Sequence, residues 1–219
     1  MKYSEFNKRL ISSILMVPAI IFIVLLGSYY FIFFLYICFA ISIYEWINIS
    51  NSKKYLVPGI FLLTLSFYSA YKVRYTSYNE FDGVYLFLFI IFICVLTDLG
   101  GYFFGKLLKG PKLTKISPKK TISGFVGGFL LPLLTFYVLV KSEILTFNNK
   151  NLTENFLSFI FFIITISFIS QVGDITVSYF KRVSGIKNSG NIIPGHGGIL
   201  DRIDGMIFVF LISYFLYFK

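Results

Sequence analysis

Long apolar runs recur along the whole chain and are separated by short polar segments. A helix rises about 1.5 Å per residue, so roughly 20 apolar residues cross the ~30 Å hydrocarbon layer of a membrane. The pattern therefore predicts an all-α, polytopic integral membrane protein with about seven transmembrane helices. The predicted helices are 10–26, 29–49, 58–71, 84–104, 122–140, 156–180 and 205–218.

The polar segments are too short to form a separate soluble domain, and the longest of them is residues 105–121. We therefore interpret residues 1–219 as a single membrane domain. Residues 1–83 supply N-terminal helices, whereas residues 84–219 carry the candidate catalytic helices and the cytoplasmic motif loops. The first apolar run follows a basic segment but has no small-residue cleavage site after it, so we expect a retained helix.

Basic residues are distributed unevenly between alternate loops. Cytoplasmic loops are enriched in Lys and Arg, and most of the 20 basic residues lie on the inner side if the N-terminus is cytoplasmic. The net charge of +10 then belongs mainly to one face, which attracts anionic headgroups and phosphates. The segment 105–121 has more lysines than orientation requires, which favours a phosphate-rich partner. These lysines are Lys106, Lys109, Lys112, Lys115, Lys119 and Lys120.

The acidic residues fall into two groups. The glutamates, Glu45 among them, lie in tails, loops or helix ends, where we expect water to solvate them. Asp98 and Asp174 lie inside predicted spans, and Asp201 and Asp204 lead into the last span. A carboxylate inside a membrane is costly unless it faces a cavity, a cation or a partner, so these aspartates are candidate functional residues. The alternative is that they form buried salt bridges that fix the helix positions.

The order of the spans predicts that the four aspartates meet at one level. The fourth and sixth spans both run inward, and Asp98 and Asp174 lie about six residues, or ~9 Å, before the predicted inner ends. The seventh span begins on that same side. Hard oxygen ligands without a Cys or His cluster suit Mg²⁺, which usually bridges one or two carboxylates to substrate phosphates.

Residues 194–205, PGHGGILDRIDG, concentrate polar chemistry and include the single histidine of the chain, His196. Gly197 and Gly198 let backbone N–H groups approach an anion closely and can form a nest for phosphate oxygens. A tight turn before a helix is the alternative. We expect His196 to hydrogen-bond a phosphate or to move a proton, although a polar residue at the membrane surface would show the same pattern.

Residues 178–205, SYFKRVSGIKNSGNIIPGHGGILDRIDG, resemble the C-terminal signature of the phosphatidate cytidylyltransferases, also called CDP-diacylglycerol synthases. The shared features are a Ser, a Lys-Arg pair, a second Lys, His-Gly-Gly and Asp-Arg-x-Asp. Residues 97–128 and the SQVGD of 170–174 resemble two other segments of this family. Asn188 and Ser123 depart from its pattern, which usually has acidic residues there.

The resemblance implies an Mg²⁺-dependent nucleotidyltransferase of phospholipid biosynthesis. Such an enzyme transfers a cytidylyl group from CTP to phosphatidic acid and releases CDP-diacylglycerol and pyrophosphate. The expected cofactor is Mg²⁺, with a second cation left open. The expected partners are CTP, phosphatidic acid and membrane lipids, without nucleic acid, and a homodimer is left open. We expect the protein in the bacterial inner membrane with its active site facing the cytoplasm.

The resemblance also implies roles for individual residues. The expected catalytic residues are Asp174, Lys181, Arg182, Lys187, His196, Asp201, Arg202 and Asp204. The expected substrate-binding residues are Asp98, Ser117, Lys119, Lys120, Gly197 and Gly198. The expected metal ligands are Asp174, Asp201 and Asp204, and Asp98 supports them.

Three other functions are left open. A CTP-dependent kinase or cytidylyltransferase for another lipid phosphate would need the same polar and charged residues, because only apolar helices recognise the lipid tail. A cation-coupled transporter would use the aspartates as ion ligands, but such proteins usually contain internal repeats, and we find none. A homologue with only a structural role would fit the departures at Ser123 and Asn188.

Overall fold

The computed structural model describes residues 2–50, 53–76, 83–114, 116–142, 152–193, 195 and 197–217. Within these ranges the chain forms α-helices joined by short loops, and isolated bridges are the single form of β-pairing. This confirms the predicted all-α fold. The helices are α1 Lys2–Leu26, α2 Ser28–Ile49, α3 Lys53–Tyr75, α4 Gly83–Leu108, α5 Ile122–Lys141, α6 Leu152–Val183 and α7 Leu200–Tyr217.

Five of the described helices are long and apolar enough to cross a membrane, which identifies an integral membrane protein. They are Ser28–Ile49, Lys54–Tyr75, Gly83–Leu108, Ile122–Lys141 and Phe156–Val183. The apolar part of α1, Ile14–Leu26, is shorter, and α7 has three charged residues near its start. The count of seven spans therefore stays a prediction.

Several helices are longer than the apolar runs that predict them. The third run, 58–71, belongs to a helix that extends from Lys53 to Tyr75. Lysine and arginine side chains can bury their stems while the charged group reaches water, so a helix can continue past the hydrocarbon layer. The same effect extends α4 and α6 beyond their predicted inner ends.

Helices α4 and α5 approach each other closely because glycines face each other along the contact. A Cβ atom on Gly100 of α4 would collide with the carbonyl oxygen of Gly127 on α5. A Cβ atom on Gly124 would lie 2.6 Å from the carbonyl oxygen of Gly101. Small residues at such contacts let two membrane helices bring their backbones together. The start of α5 is thereby held beside the C-terminal half of α4.

The lysine-rich loop 109–121 and the loop 184–199, which follows the basic pair Lys181 and Arg182 at the end of α6, lie at the same end of the bundle. Lys120, just before α5, contacts Asp174 of α6. The hydroxyl of Ser184, just after α6, donates to the carbonyl oxygen of Ile49 at the end of α2. The prediction that the fourth and sixth connections meet on one side is confirmed.

Candidate active site

The four predicted aspartates gather at this end of the bundle. The charges of Asp98 and Asp174 both act on Asp204, and Lys181 links Asp204 to Asp201. Because α4 and α6 continue further than predicted, Asp98 and Asp174 lie roughly two and a half to three turns before the helix ends, rather than six residues. Both still lie at a similar depth, which confirms that the aspartates meet at one level.

Lys181 is the buried cation of this cluster. Its side chain is 7% exposed, and Nζ lies 2.8 Å from Asp201 Oδ1 and 3.7 Å from Asp204 Oδ2. A buried ammonium group is stable only when carboxylates and hydrogen bonds compensate its charge. Lys181 therefore depends on both aspartates, and it fixes the start of α7 against the end of α6.

Asp201 is held by the loop that precedes α7 as well as by Lys181. Its Oδ2 accepts hydrogen bonds from the backbone N–H groups of Ser189, at 2.9 Å, and Gly198, at 3.1 Å. Burial raises the pKa of Asp201, but Lys181 and these two N–H groups outweigh burial, so that the pKa falls below its ordinary value of 3.8. Asp201 is therefore ionised at neutral pH, and its role as a metal ligand stays a prediction.

The glycines of the predicted phosphate nest lie against carboxylates of the protein itself. A Cβ atom on Gly197 would lie 2.7 Å from Asp201 Oδ2, and one on Gly198 would collide with the carboxylate of Glu45. The N–H of Gly197 donates to the carbonyl oxygen of Ile193 at 3.2 Å. Both glycine N–H groups are thus bonded to acceptors of the protein itself, Gly197 to Ile193 and Gly198 to Asp201. Nucleotide binding at these glycines stays a prediction.

Glu45 is a residue that the sequence analysis assigned wrongly to a solvated helix end. It is 1% exposed and lies one turn before the end of α2. Its carboxylate accepts hydrogen bonds from the Ser189 hydroxyl at 2.7 Å, from Ile199 N–H at 3.0 Å and from Leu200 N–H at 2.8 Å. The signal was its position among the apolar residues of IYEWINI, where the cost of a buried carboxylate applies as it does to the aspartates.

Asp174 faces the lysine-rich loop 109–121. Its Oδ2 lies 2.5 Å from Lys120 Nζ, and its Oδ1 accepts a hydrogen bond from the Ser178 hydroxyl at 3.2 Å. The loop reaches Asp174 through a tight turn, in which the N–H of Lys120 donates to the carbonyl oxygen of Ser117 at 3.0 Å. This turn directs Lys120 inward and leaves Lys119 exposed.

The sequence model of the cytidylyltransferase family matches residues 7–80 and 62–219. The chain belongs to the cytidylyltransferase family.

Relatives in this family include two named phosphatidate cytidylyltransferases. The protein of Staphylococcus haemolyticus is 38% identical over 162 residues, which are 74% of this chain and 60% of the relative. The protein of Haemophilus influenzae is 35% identical over 151 residues, which are 67% of this chain and 51% of the relative. The chain thus spans about half to three fifths of the length of these relatives.

The other predicted cations of the second motif in this cytidylyltransferase-family chain, Arg182, Lys187 and Arg202, are all exposed. Arg182 Nη1 donates to the carbonyl oxygen of Ile186 at 2.8 Å. The charge of Arg202 acts on Asp98. His196 lies outside the described residues, so its predicted role is not addressed by the structure.

The two positions that depart from the family pattern are Asn188, in the loop between α6 and α7, and Ser123, in the first turn of α5. Asn188 is exposed next to Ser189, the residue shared by Glu45 and Asp201. The Ser123 hydroxyl donates to the carbonyl oxygen of Lys109, which ties the start of α5 to the end of the preceding helix. Neither position carries a charge toward the aspartates.

The carboxylate oxygens of the site are donors of the kind that Mg²⁺ binds, and Mg²⁺ as the cofactor stays a prediction. Among the parts of the chain that the structure describes, no three His, Cys, Asp or Glu side chains come close enough to enclose a metal ion alone. Mg²⁺ seldom needs such a cage, because it keeps several waters and is held by one or two carboxylates plus substrate phosphates. Asp174 and Asp204 supply carboxylates that already attract ammonium groups, from Lys120 and Lys181 respectively.

Proposed function

We propose that this protein transfers the cytidylyl group of CTP to phosphatidic acid and releases CDP-diacylglycerol and pyrophosphate. The observation that carries the proposal is the meeting of the family-like segments 97–128, 170–174 and 178–205 at one carboxylate and ammonium cluster, through Lys120 with Asp174 and Lys181 with Asp201. The family match and the names of the relatives support the choice of reaction.

In this reaction a phosphate oxygen of phosphatidic acid forms a bond to the α-phosphorus of CTP, and the bond to the β-phosphate oxygen breaks. Pyrophosphate leaves with the electron pair of that bond. The attacking phosphate is already ionised near neutral pH, since phosphate monoesters have a second pKa of about 6, so the step needs no general base. The protein must position two anions and offset their repulsion.

The residues of the site suit this task. Asp174 and Asp204, with Asp201 as the third predicted ligand, would hold Mg²⁺, which supplies Lewis-acid chemistry toward phosphate oxygens. The Lys120 side chain is 26% exposed, so its ammonium group is accessible to a phosphate that approaches the cluster from solvent. Lys181 is almost fully buried and holds the carboxylates of Asp201 and Asp204 in place.

The substrate assignment is tested by supplying purified protein with CTP, Mg²⁺ and one lipid phosphate at a time in mixed micelles. Phosphatidic acid should give equal amounts of CDP-diacylglycerol and pyrophosphate, and EDTA should stop the reaction. A polyprenyl phosphate should give no cytidylylated lipid. Product from the polyprenyl phosphate but none from phosphatidic acid would contradict the assignment.

We also propose that the site faces the cytoplasm, because basic residues in and next to the fourth and sixth connections, such as Lys120, Arg182 and Lys187, lie at that end of the bundle and cytoplasmic segments are enriched in Lys and Arg. In a variant without Cys38 and Cys94, the exposed positions Lys112→Cys and Lys187→Cys should react with an impermeant thiol reagent only from the cytoplasmic side. Ser142→Cys, at the other end of α5, should react only from the opposite side. Labelling of Lys112→Cys and Lys187→Cys from different sides would contradict a shared site.

A further inference from the structure

The buried carboxylate of Glu45 connects α2 to the loop that carries the second motif. Its three hydrogen bonds all come from that loop and from the start of α7: the Ser189 hydroxyl and the N–H groups of Ile199 and Leu200. No ion pair among the described residues includes Glu45. Its charge is compensated by hydrogen bonds and by the positive end of the α7 dipole.

Glu45 and Asp201 hold the same two residues of the loop, Ser189 and Gly198. Ser189 donates its hydroxyl to Glu45 and its N–H to Asp201. Gly198 donates its N–H to Asp201, and a side chain at Gly198 would collide with Glu45. The loop is therefore clamped between a carboxylate from α2 and a carboxylate from α7.

Leu200 begins α7, so the position of its N–H sets where the helix starts. Asp201 is the next residue, and Asp204 lies about one turn further, facing Lys181. A shift at Leu200 is therefore passed directly to both aspartates. A displacement of about 1 Å at a catalytic group can lower a rate by about 10²-fold.

We propose that Glu45 is a positioning residue that sets the start of α7, and with it Asp201, Asp204 and Lys181, for the reaction. This inference rests on the proposed cytidylyl transfer for its catalytic consequence. A carboxylate suits the position because each of its three partners among the described residues is a hydrogen-bond donor. A glutamine would direct an amide N–H₂ at one or more of these donors and leave a buried N–H or hydroxyl unpaired.

The first test compares Glu45→Gln with Ser42→Ala. Ser42 lies on the same helix and is 0% exposed, and its described hydrogen bond goes to the carbonyl oxygen of Cys38 in its own helix, so it matches Glu45 in burial without a described hydrogen bond to the loop. Hydrogen exchange without substrate should become faster at Ser189, Ile199 and Leu200 in Glu45→Gln. Ser42→Ala should leave exchange at these amides as in the wild type.

The second measurement is the Mg²⁺ dependence of CDP-diacylglycerol formation. Residues that orient metal ligands typically change metal affinity or activity by about 10- to 100-fold when altered. Glu45→Gln should raise the Mg²⁺ concentration for half-maximal rate and lower kcat within that range, whereas Ser42→Ala should change neither. Glu45→Asp keeps the charge but is one methylene shorter, so it should not restore either value.

The outcomes separate the inference from the proposed function. A Glu45→Gln protein with a lower melting temperature but wild-type Mg²⁺ dependence per folded molecule would overturn positioning and leave a structural role. If Glu45→Gln does not fold, Ser189→Ala decides, because it removes one of the three donors and should still raise the half-maximal Mg²⁺ concentration. Wild-type protein without product would instead contradict the proposed function, while exchange at Ile199 and Leu200 would still test the clamp.

Discussion

Asp174→Asn should lower the rate of CDP-diacylglycerol formation by about 10²- to 10³-fold, the range found when one electrostatic stabiliser of a transition state is removed. The melting temperature should change little. The side chains of Asp174 and Lys120 are 29% and 26% exposed, and such partly exposed ion pairs contribute about 0–1 kcal/mol to stability. Rate and melting temperature measured on one preparation therefore separate chemistry from folding.

The matched control for this variant is Thr176→Val. Thr176 lies on the same helix, and among the described residues its hydroxyl bonds the carbonyl oxygen of Val172 alone, so the rate and the melting temperature should both stay close to the wild type. Near-normal turnover in Asp174→Asn would contradict a role for the Asp174 carboxylate in the reaction. An equal loss in the Thr176→Val control would show that the effect is not specific to that carboxylate.

Asp201→Asn should affect stability far more than Asp174→Asn. The Lys181 and Asp201 side chains are 7% and 9% exposed, and removing one partner of a buried pair costs about 3–5 kcal/mol. Asp204, at 3.7 Å from Lys181, compensates part of the unpaired charge, so we expect about 3 kcal/mol. Thermal unfolding in detergent, compared with the wild type, measures this loss.

The charge-balanced double variant Asp201→Asn/Lys181→Met distinguishes the two roles of this pair. Without a buried ammonium group to compensate, the double variant should recover much of the melting temperature lost in Asp201→Asn. It should not recover activity, because Asp204 then lacks its cation and the loop lacks one carboxylate. An Asp201→Asn protein that melts like the wild type would contradict the clamp around residues 189–200.

Acid should weaken the ion pair between Asp201 and Lys181. The folded-state pKa of Asp201 lies below its ordinary value of 3.8, so its contribution is complete above that value and is lost as the pH falls through the lower folded value. This places the effect well below neutral pH. The activity measurements near pH 7 are therefore made with Asp201 ionised.

The fold was largely predictable because the membrane constrains it so strongly. A backbone in hydrocarbon must satisfy its own hydrogen bonds, so long apolar runs imply helices and their order implies which ends meet. The helix ends were less predictable. The sequence pattern shows where apolar residues stop, whereas α3, α4 and α6 continue into the polar region with Lys and Arg side chains.

The four aspartates were predictable for the same reason, since a charge in an apolar span stands out. Glu45 was missed although the same reasoning applies to it. Its partners, Ser189 and Leu200, lie 144 and 155 residues away in sequence, and no local pattern shows that they meet. Gly197 and Gly198 were interpreted as a phosphate nest. A glycine run in a sequence indicates that backbone N–H groups can approach an anion, but it does not identify the anion. In the structure, the carboxylates of Glu45 and Asp201 lie there.

The most direct test of the central proposal is the fate of each CTP phosphate. The protein is supplied with phosphatidic acid, Mg²⁺ and CTP that carries ³²P at either the α- or the γ-position. Cytidylyl transfer predicts that α-label enters the lipid fraction as CDP-diacylglycerol and that γ-label appears only in pyrophosphate. Label from the γ-position in the lipid would identify a kinase, and wild-type protein that transfers neither label would contradict the account.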